Sequence, residues 1–119
     1  MKTIIAGSRD FTDNELMWNI LKEFPEISEV VCGGARGADE CGQLWAYDKG
    51  IPVKMFLADW NKYGKAAGIK RNIQMAEYAD MLIAFWNGKS TGTKHMIAEA
   101  KRRKLIVHVI EYNIKTESW

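Results

Sequence analysis

The sequence is short of cysteine, of net charge and of long apolar runs, and each shortage removes a class of protein. Cys32 and Cys41 are its two cysteines, and neither stands at paired metal-ligand spacing. No metal or other cofactor is expected. Both are expected to be buried thiols, because the chain reads as intracellular and a domain of this kind needs no disulfide. Seventeen Lys and Arg against fifteen Asp and Glu leave a net charge of +2. That is too small to mark a nucleic-acid binder, so nucleic acid is not an expected partner. No apolar stretch approaches the ~20 residues that span a bilayer, which argues against a membrane partner. Met1-Lys2-Thr3 runs straight into an apolar segment without the n-region and h-region of a secretory signal, so a cytoplasmic location is expected. The chain has no repeats and no low-complexity segments.

What it does have is three polar, glycine-bearing turns: Gly7-Ser8-Arg9-Asp10, Gly33-Gly34-Ala35-Arg36-Gly37-Ala38-Asp39 and Gly88-Lys89-Ser90-Thr91-Gly92-Thr93. Each follows a short apolar run and leads into a helical pattern. In an open parallel α/β sheet such turns lie together at the carboxyl edge of the strands. Helix N-termini there present free N–H groups and the positive ends of their dipoles. Arg9, Arg36, Lys65, Lys70, Arg71, Lys89 and Lys94 fall in or beside the turns, opposed there by Asp10, Asp39 and Asp59. That edge should attract anions. The expected ligand is small and anionic: a nucleotide or a nucleotide derivative.

Residues 1–119, 47% hydrophobic, are expected to form one domain around a single core. Thr3 to Ala6 reads as a strand. Thr12 and Glu15 have capping-box spacing at the start of a helix whose stripe is Leu16, Ile20, Leu21 and Phe24, and which Pro25 stops. Glu29 to Cys32 is a second strand. A helix after Gly37 places Ala38, Cys41, Leu44 and Trp45 on one face and ends at Gly50, a left-handed cap. Ile51 to Leu57 is a third strand, and Ala58 to Gly68, which keeps no period, is the longest loop. A helix from about Gly68 to Tyr78 turns Ile69, Ile73 and Ala76 inward. Met81 to Phe85, a continuous apolar run, suits a central parallel strand. Thr91 to Arg103 is a helix and Leu105 to Ile110 a fifth strand; Glu111 to Trp119 carries no assignment. The alternation predicts an α/β fold, a three-layer α/β/α Rossmann-like sandwich with a mainly parallel five-stranded sheet.

The central turn, with three glycines in five residues, lets backbone approach a phosphate; the plainer reading is an ordinary strand-to-helix turn. It lacks the Gly-Lys-Ser/Thr of a P-loop. It is not a dinucleotide fingerprint either, since that motif follows the first strand. Gly7, Ser8, Arg9, Gly33, Gly34, Ala35, Arg36 and Gly37 are candidate ligand contacts. So are Ser90, Thr91, Gly92 and Thr93, whose alternative role is a capped helix start. Arg71 is a candidate bidentate phosphate partner and Asn72 beside it a candidate ligand contact, and for Arg9 and Arg71 alike the alternative is a solvated charge. Asp10 and Asp39 are candidate acid-base groups or ribose acceptors, with helix capping as the alternative. Trp60 and Trp86 stand where an indole can stack on a base, while Trp18 and Trp45 read as packing. His95 lies near the third turn and His108 in a strand.

Taken together, Gly7-Ser8-Arg9-Asp10-Phe11, Gly33-Gly34-Ala35-Arg36-Gly37-Ala38-Asp39, Ala58-Asp59-Trp60, Gly64-Lys65-Ala66-Ala67-Gly68, Arg71-Asn72 and Gly92-Thr93 resemble the small YspA-like domains of the SLOG superfamily, which contains the LOG and DprA-type Rossmann domains. The resemblance implies a Rossmannoid sheet that binds nucleotides or nucleotide-derived ligands, and a homodimer or higher homo-oligomer. LOG proteins are phosphoribohydrolases. Their Arg-Lys-x-x-Met stretch and Gly-Gly-x-Gly-Thr turn are similar to Arg71-Asn72-Ile73-Gln74-Met75 and Ser90-Thr91-Gly92-Thr93 here. Lys94, His95 and Met96, however, occupy the places of the LOG catalytic glutamate, and Glu99 lies a turn further along. The first expectation is therefore binding, as a sensor or sequestering module. The alternative is N-glycosidic hydrolysis of a nucleoside 5'-monophosphate, with Arg71 on the phosphate and Asp10 or Asp39 as the carboxylate.

Overall fold

Strands and helices alternate as β1 (Lys2–Gly7), α1 (Asn14–Leu21), β2 (Glu29–Cys32), α2 (Ala38–Lys49), β3 (Val53–Met55), α3 (Trp60–Tyr63), α4 (Ala67–Tyr78), β4 (Met81–Trp86), α5 (Thr91–Arg102) and β5 (Ile106–Glu111). A 3-10 turn, Gly64–Ala66, joins α3 to α4. The computed structural model describes residues 1–112; the remainder of the unassigned segment Glu111 to Trp119 lies outside the described residues. The strands form one sheet in the order β3-β2-β1-β4-β5, and every pairing is parallel. The fold is Rossmann-like. Chain direction across the sheet reverses between β1 and β4, because β2 and β3 are laid down on one side of β1 and β4 and β5 on the other. Their register, from Thr3 opposite Met81 to Gly7 opposite Phe85, brings both strands to the carboxyl edge together.

Strand periodicity divides the apolar residues between two faces. Ile5 of β1 and Met81, Ile83 and Phe85 of β4 pack with Met17 and Leu21 of α1 and Ala38, Cys41 and Trp45 of α2. Ile4, Ala6, Leu82 and Ala84 face the other way, against Met75 and Ala76 of α4 and Met96, Ile97 and Ala100 of α5. One core was expected; the sheet divides it into two. β1 and β4 are covered on both faces, which is why Met81 to Phe85 carries no polar residue. Cys32 and Cys41 are buried free thiols.

Several local expectations give way to specific competitors. Asp13, not Thr12, caps α1, its Oδ1 accepting from the Leu16 N–H at 3.0 Å. The helix ends at Leu21, ahead of Pro25, because the Glu23 and Phe24 N–H groups bond three residues back to Ile20 and Leu21. β3 shrinks to three residues. The expected loop from Ala58 to Gly68 contains a helical turn, α3, capped by Asp59, whose Oδ1 accepts from the Lys62 N–H. In α4 the inward residues are Asn72, Met75 and Ala76, and Ile69 is exposed at the rim of the carboxyl edge. Leu44 of α2 is likewise exposed. Gly50 takes the left-handed cap, at φ 69°.

The end of β1 leaves no room for a side chain. A Cβ on Gly7 would lie 2.2 Å from the Phe85 carbonyl oxygen and 2.7 Å from the Ala38 Cβ. Gly7→Ala should therefore destabilise the protein by about 1–3 kcal/mol, as overpacking does, measured by urea denaturation. An unchanged midpoint would mean that β1 and β4 separate at this edge without cost.

Candidate functional site

The exits of β1 and β4 are held to each other through Ser8. Its N–H donates to the Phe85 carbonyl at 3.0 Å, and its carbonyl accepts from the N–H groups of Phe11 and Ala38. Its Oγ accepts from the Asn87 N–H at 3.1 Å. Ser8 is 1% exposed. Beside this junction opens a cleft of about 820 Å³, at the point where the strand order reverses. Its walls come from the β1 exit (Gly7, Ser8, Arg9, Asp10), the β4 exit and α5 start (Asn87, Lys89, Ser90, Thr91, Gly92, Thr93), and α4 (Gly68, Ile69, Arg71, Asn72, Met75). Ala35, Asp39, Trp60, Lys65 and His95 also line it. A smaller cleft of about 370 Å³ adjoins it, lined by Gly33, Gly34, Arg36 and Leu57 and sharing Arg9, Ala35, Trp60 and Arg71 with the first.

Gly37 lines neither cleft. It has φ 82°, and a Cβ there would meet the Ser8 carbonyl at 2.3 Å, so this glycine serves the close passage of two turns. Gly33 makes room for an arginine, since its missing Cβ would stand 2.3 Å from Arg71 Nη1. Arg71 Nη1 donates to the Gly33 carbonyl at 2.7 Å, and Nε donates to Asn72 Oδ1. The guanidinium expected to bind phosphate thus also ties α4 to the β2 exit.

Asp39, 5% exposed, folds back into its own turn, Oδ2 accepting from the Gly33 N–H at 2.9 Å and the Ala35 N–H at 3.5 Å. Burial pushes its carboxyl up to about 6, against the lowering effect of those N–H groups and of Arg71. Asp10 goes the opposite way. Its Oδ1 accepts from the Tyr112 hydroxyl and its Oδ2 from Asn87 Nδ2, and the Tyr112 bond holds the carboxyl below the usual range. Burial, with the bond to Asp10 second, pushes the Tyr112 phenol up to about 12.

At α5, the Ser90 Oγ accepts from the Thr93 N–H, and Asn87 Oδ1 accepts from the N–H groups of Lys89 and Ser90. Trp86, expected as a stacking surface, instead donates its indole N–H to the Ser90 carbonyl at 3.0 Å. Trp60 is 54% exposed at the cleft rim. Trp45 is buried as packing, while Trp18 lines a separate groove between α1 and α2. His108 stacks edge-on against Phe24, away from the cleft. Glu99 points elsewhere, bound to Arg102 and, at 2.8 Å, to Arg103. Four cations line the main cleft, Arg9, Lys65, Arg71 and Lys89, against Asp10 and Asp39. Among the described residues none of the four is in an ion pair. No cluster of three or more His, Cys, Asp or Glu there could hold a metal ion. No helix among the described residues is long and apolar enough to cross a membrane.

Residues 1–63 match the family model described as "YspA, cpYpsA-related SLOG family". The chain belongs to this SLOG family. Its sequence is also 39% identical over 111 residues to the "Gene 61 protein" of Mycobacterium phage D29, covering 85% of this chain and 89% of the phage protein. No solved structure matches the chain significantly. The matched part of the SLOG chain carries the β1 exit and the glycine turn. The other cleft wall, from α4 and the α5 start, lies beyond it.

Asn87 and Tyr112 escaped the sequence reading although they order the β1 exit. Their partner Asp10 lies 77 and 102 residues away, and neither follows a recognisable spacing.

The Asp39 carboxyl sets a pH dependence. A folded-state value raised from 3.8 to about 6 makes its contribution to stability fullest below pH ~4 and removes it as pH rises through ~6. A rise of this size corresponds to about 3 kcal/mol. Asp39→Asn should therefore gain on the native protein across that window in urea denaturation series at pH 4.5 and 7.5. Parallel pH profiles for the two would contradict the buried, proton-seeking carboxyl.

Proposed function

We propose that the cleft binds a nucleotide or nucleotide derivative through its phosphate, as a sensing or sequestering module. The observation that carries this reading is the start of α5. The Thr91 and Gly92 N–H groups precede the first intrahelical bond, a Cβ at Gly92 would meet nothing within 4 Å, and both residues line the cleft beside Arg9 and Lys89. Membership of the SLOG family supports a nucleotide-related ligand. Trp60 offers an exposed indole face within the same cleft, the surface a base needs for stacking. The buried free thiols Cys32 and Cys41 accord with a cytoplasmic protein.

One observation favours a second reading, cleavage of the N-glycosidic bond of a nucleoside 5'-monophosphate. Asp39 lines the cleft with a carboxyl at about 6, suited to acid-base work near neutrality. Against this, Asp39 Oδ2 is committed to the Gly33 turn, Asp10 to Tyr112 and Asn87, and Glu99 to two arginines. Among the described residues no carboxylate in the cleft is left without a structural partner, so binding is the leading reading.

A panel of nucleoside monophosphates, cyclic nucleotides and ADP-ribose derivatives, read for thermal stabilisation and released base on the same samples, separates the two. Stabilisation without free base is expected; base release that Asp39→Asn abolishes would establish the hydrolase instead. Arg9→Ala should weaken the best ligand by about tenfold, the value of a partly exposed charge-assisted contact. Gly92→Ala should weaken it with stability unchanged or up to about 1 kcal/mol higher, since the added methyl enters open space on a helix. Full affinity in both variants, by calorimetric titration, would place the phosphate elsewhere.

A further inference from the structure

Asn72 has no choice in how its amide is turned. Arg71 Nε can only donate, and it faces one side of that amide at 3.2 Å. The Gly92 carbonyl can only accept, and it faces the other side at 3.3 Å. Oδ1 must therefore lie toward Arg71 and Nδ2 toward Gly92; the reverse would set donor against donor and acceptor against acceptor. The remaining hydrogen of Nδ2 is directed at His95 Nδ1, 3.1 Å away. Nδ1 is then the acceptor, and the neutral imidazole carries its proton on Nε2. An arginine on α4 thus fixes the tautomer of a histidine on α5 through a single asparagine.

Nε2 makes no hydrogen bond to the protein among the described residues, and His95 is half-buried rather than sealed in the core. His95 lines the main cleft. It stands four residues after Thr91, on the same face of α5, so its ring lies beside the helix start proposed to hold phosphate. Asn72 is 6% exposed, and its amide contacts are already taken by Arg71, Gly92 and His95.

Resting on the phosphate reading of the cleft, we propose that His95 is a ligand contact, an Nε2–H donor of fixed tautomer to an oxygen of the bound phosphate. Arg71 and Asn72 are the positioning residues behind it. Asn72, expected from the sequence as a direct contact, acts through the imidazole instead.

Two substitutions separate a ligand contact from a packing partner. Gln places its amide nitrogen where Nε2 stands, whereas Asn places its amide where Nδ1 stands. His95→Gln keeps the donor to the ligand and gives up the acceptor for Asn72; His95→Asn does the reverse. With adenosine 5'-monophosphate as the calorimetric probe, His95→Gln should stay within about threefold of the native protein. His95→Asn should lose about tenfold or more, the worth of a hydrogen bond to a charged acceptor. The opposite order, or equal affinity in both variants, overturns the role of His95 while leaving the phosphate reading standing. A native protein that binds neither this probe nor inorganic phosphate contradicts the phosphate reading and the His95 contact together. Imidazole 15N spectra of the ligand-free protein check the tautomer independently of any ligand. A proton on Nε2 is expected at neutral pH, and a neutral ring protonated on Nδ1 overturns the relay.

Discussion

The bonds made by Ser8 hold the carboxyl edge of this sheet in one arrangement. Its backbone and hydroxyl join the β1 exit to the β4 exit and to the start of α2, through Phe85, Asn87 and Ala38. The parallel register of β1 and β4 delivers both exits to the same level, and the reversal of strand order between them opens a crevice that the sheet itself cannot fill. Ser8 closes the floor of that crevice. Above it stand the capped start of α5 and, from α3 and α4, Trp60 and Arg71.

Two glycines of the central turn have steric work to do. Gly37 permits the passage of the Ser8 carbonyl, and Gly33 admits the Arg71 side chain. Asp39 then draws the Gly33 and Ala35 N–H groups inward. Two of the turn's glycines thus make room for neighbours, while the Thr91 and Gly92 N–H groups of α5 precede the first intrahelical bond. Cationic side chains without ion-pair partners among the described residues line the same cleft, so the field there favours an anion before any specific contact is made.

The inner strands were legible because burial on both faces leaves a plain mark. Glu29–Cys32 takes the expected bounds, and Met81–Trp86 extends the expected strand by one residue. Helix starts were less legible where two capping residues stand side by side: Thr12 and Asp13 both qualify, and only the turn geometry chooses Asp13. The short α3 has no buried residue, so no period could reveal it. Of the site, thirteen candidate residues reach the main cleft, because glycine-bearing turns at strand ends converge in a parallel sheet whatever the details. The partners that give those residues their protonation and orientation were not legible. Asp10 is held by Tyr112 from the far end of β5, and Asn72 by contacts to α5, and neither pairing leaves a local pattern.

In the function proposed, the crevice between β1 and β4 receives a phosphate at the start of α5. Backbone amide spectra recorded during titration with adenosine 5'-monophosphate test it most directly, because they report where a ligand sits as well as whether it binds. Shifts concentrated at Ser8 to Asp10, Ala35 and Ser90 to Thr93 are expected. Shifts confined to the groove of Trp18 and Trp45 between α1 and α2, or none with this or any other phosphorylated nucleotide, would contradict it.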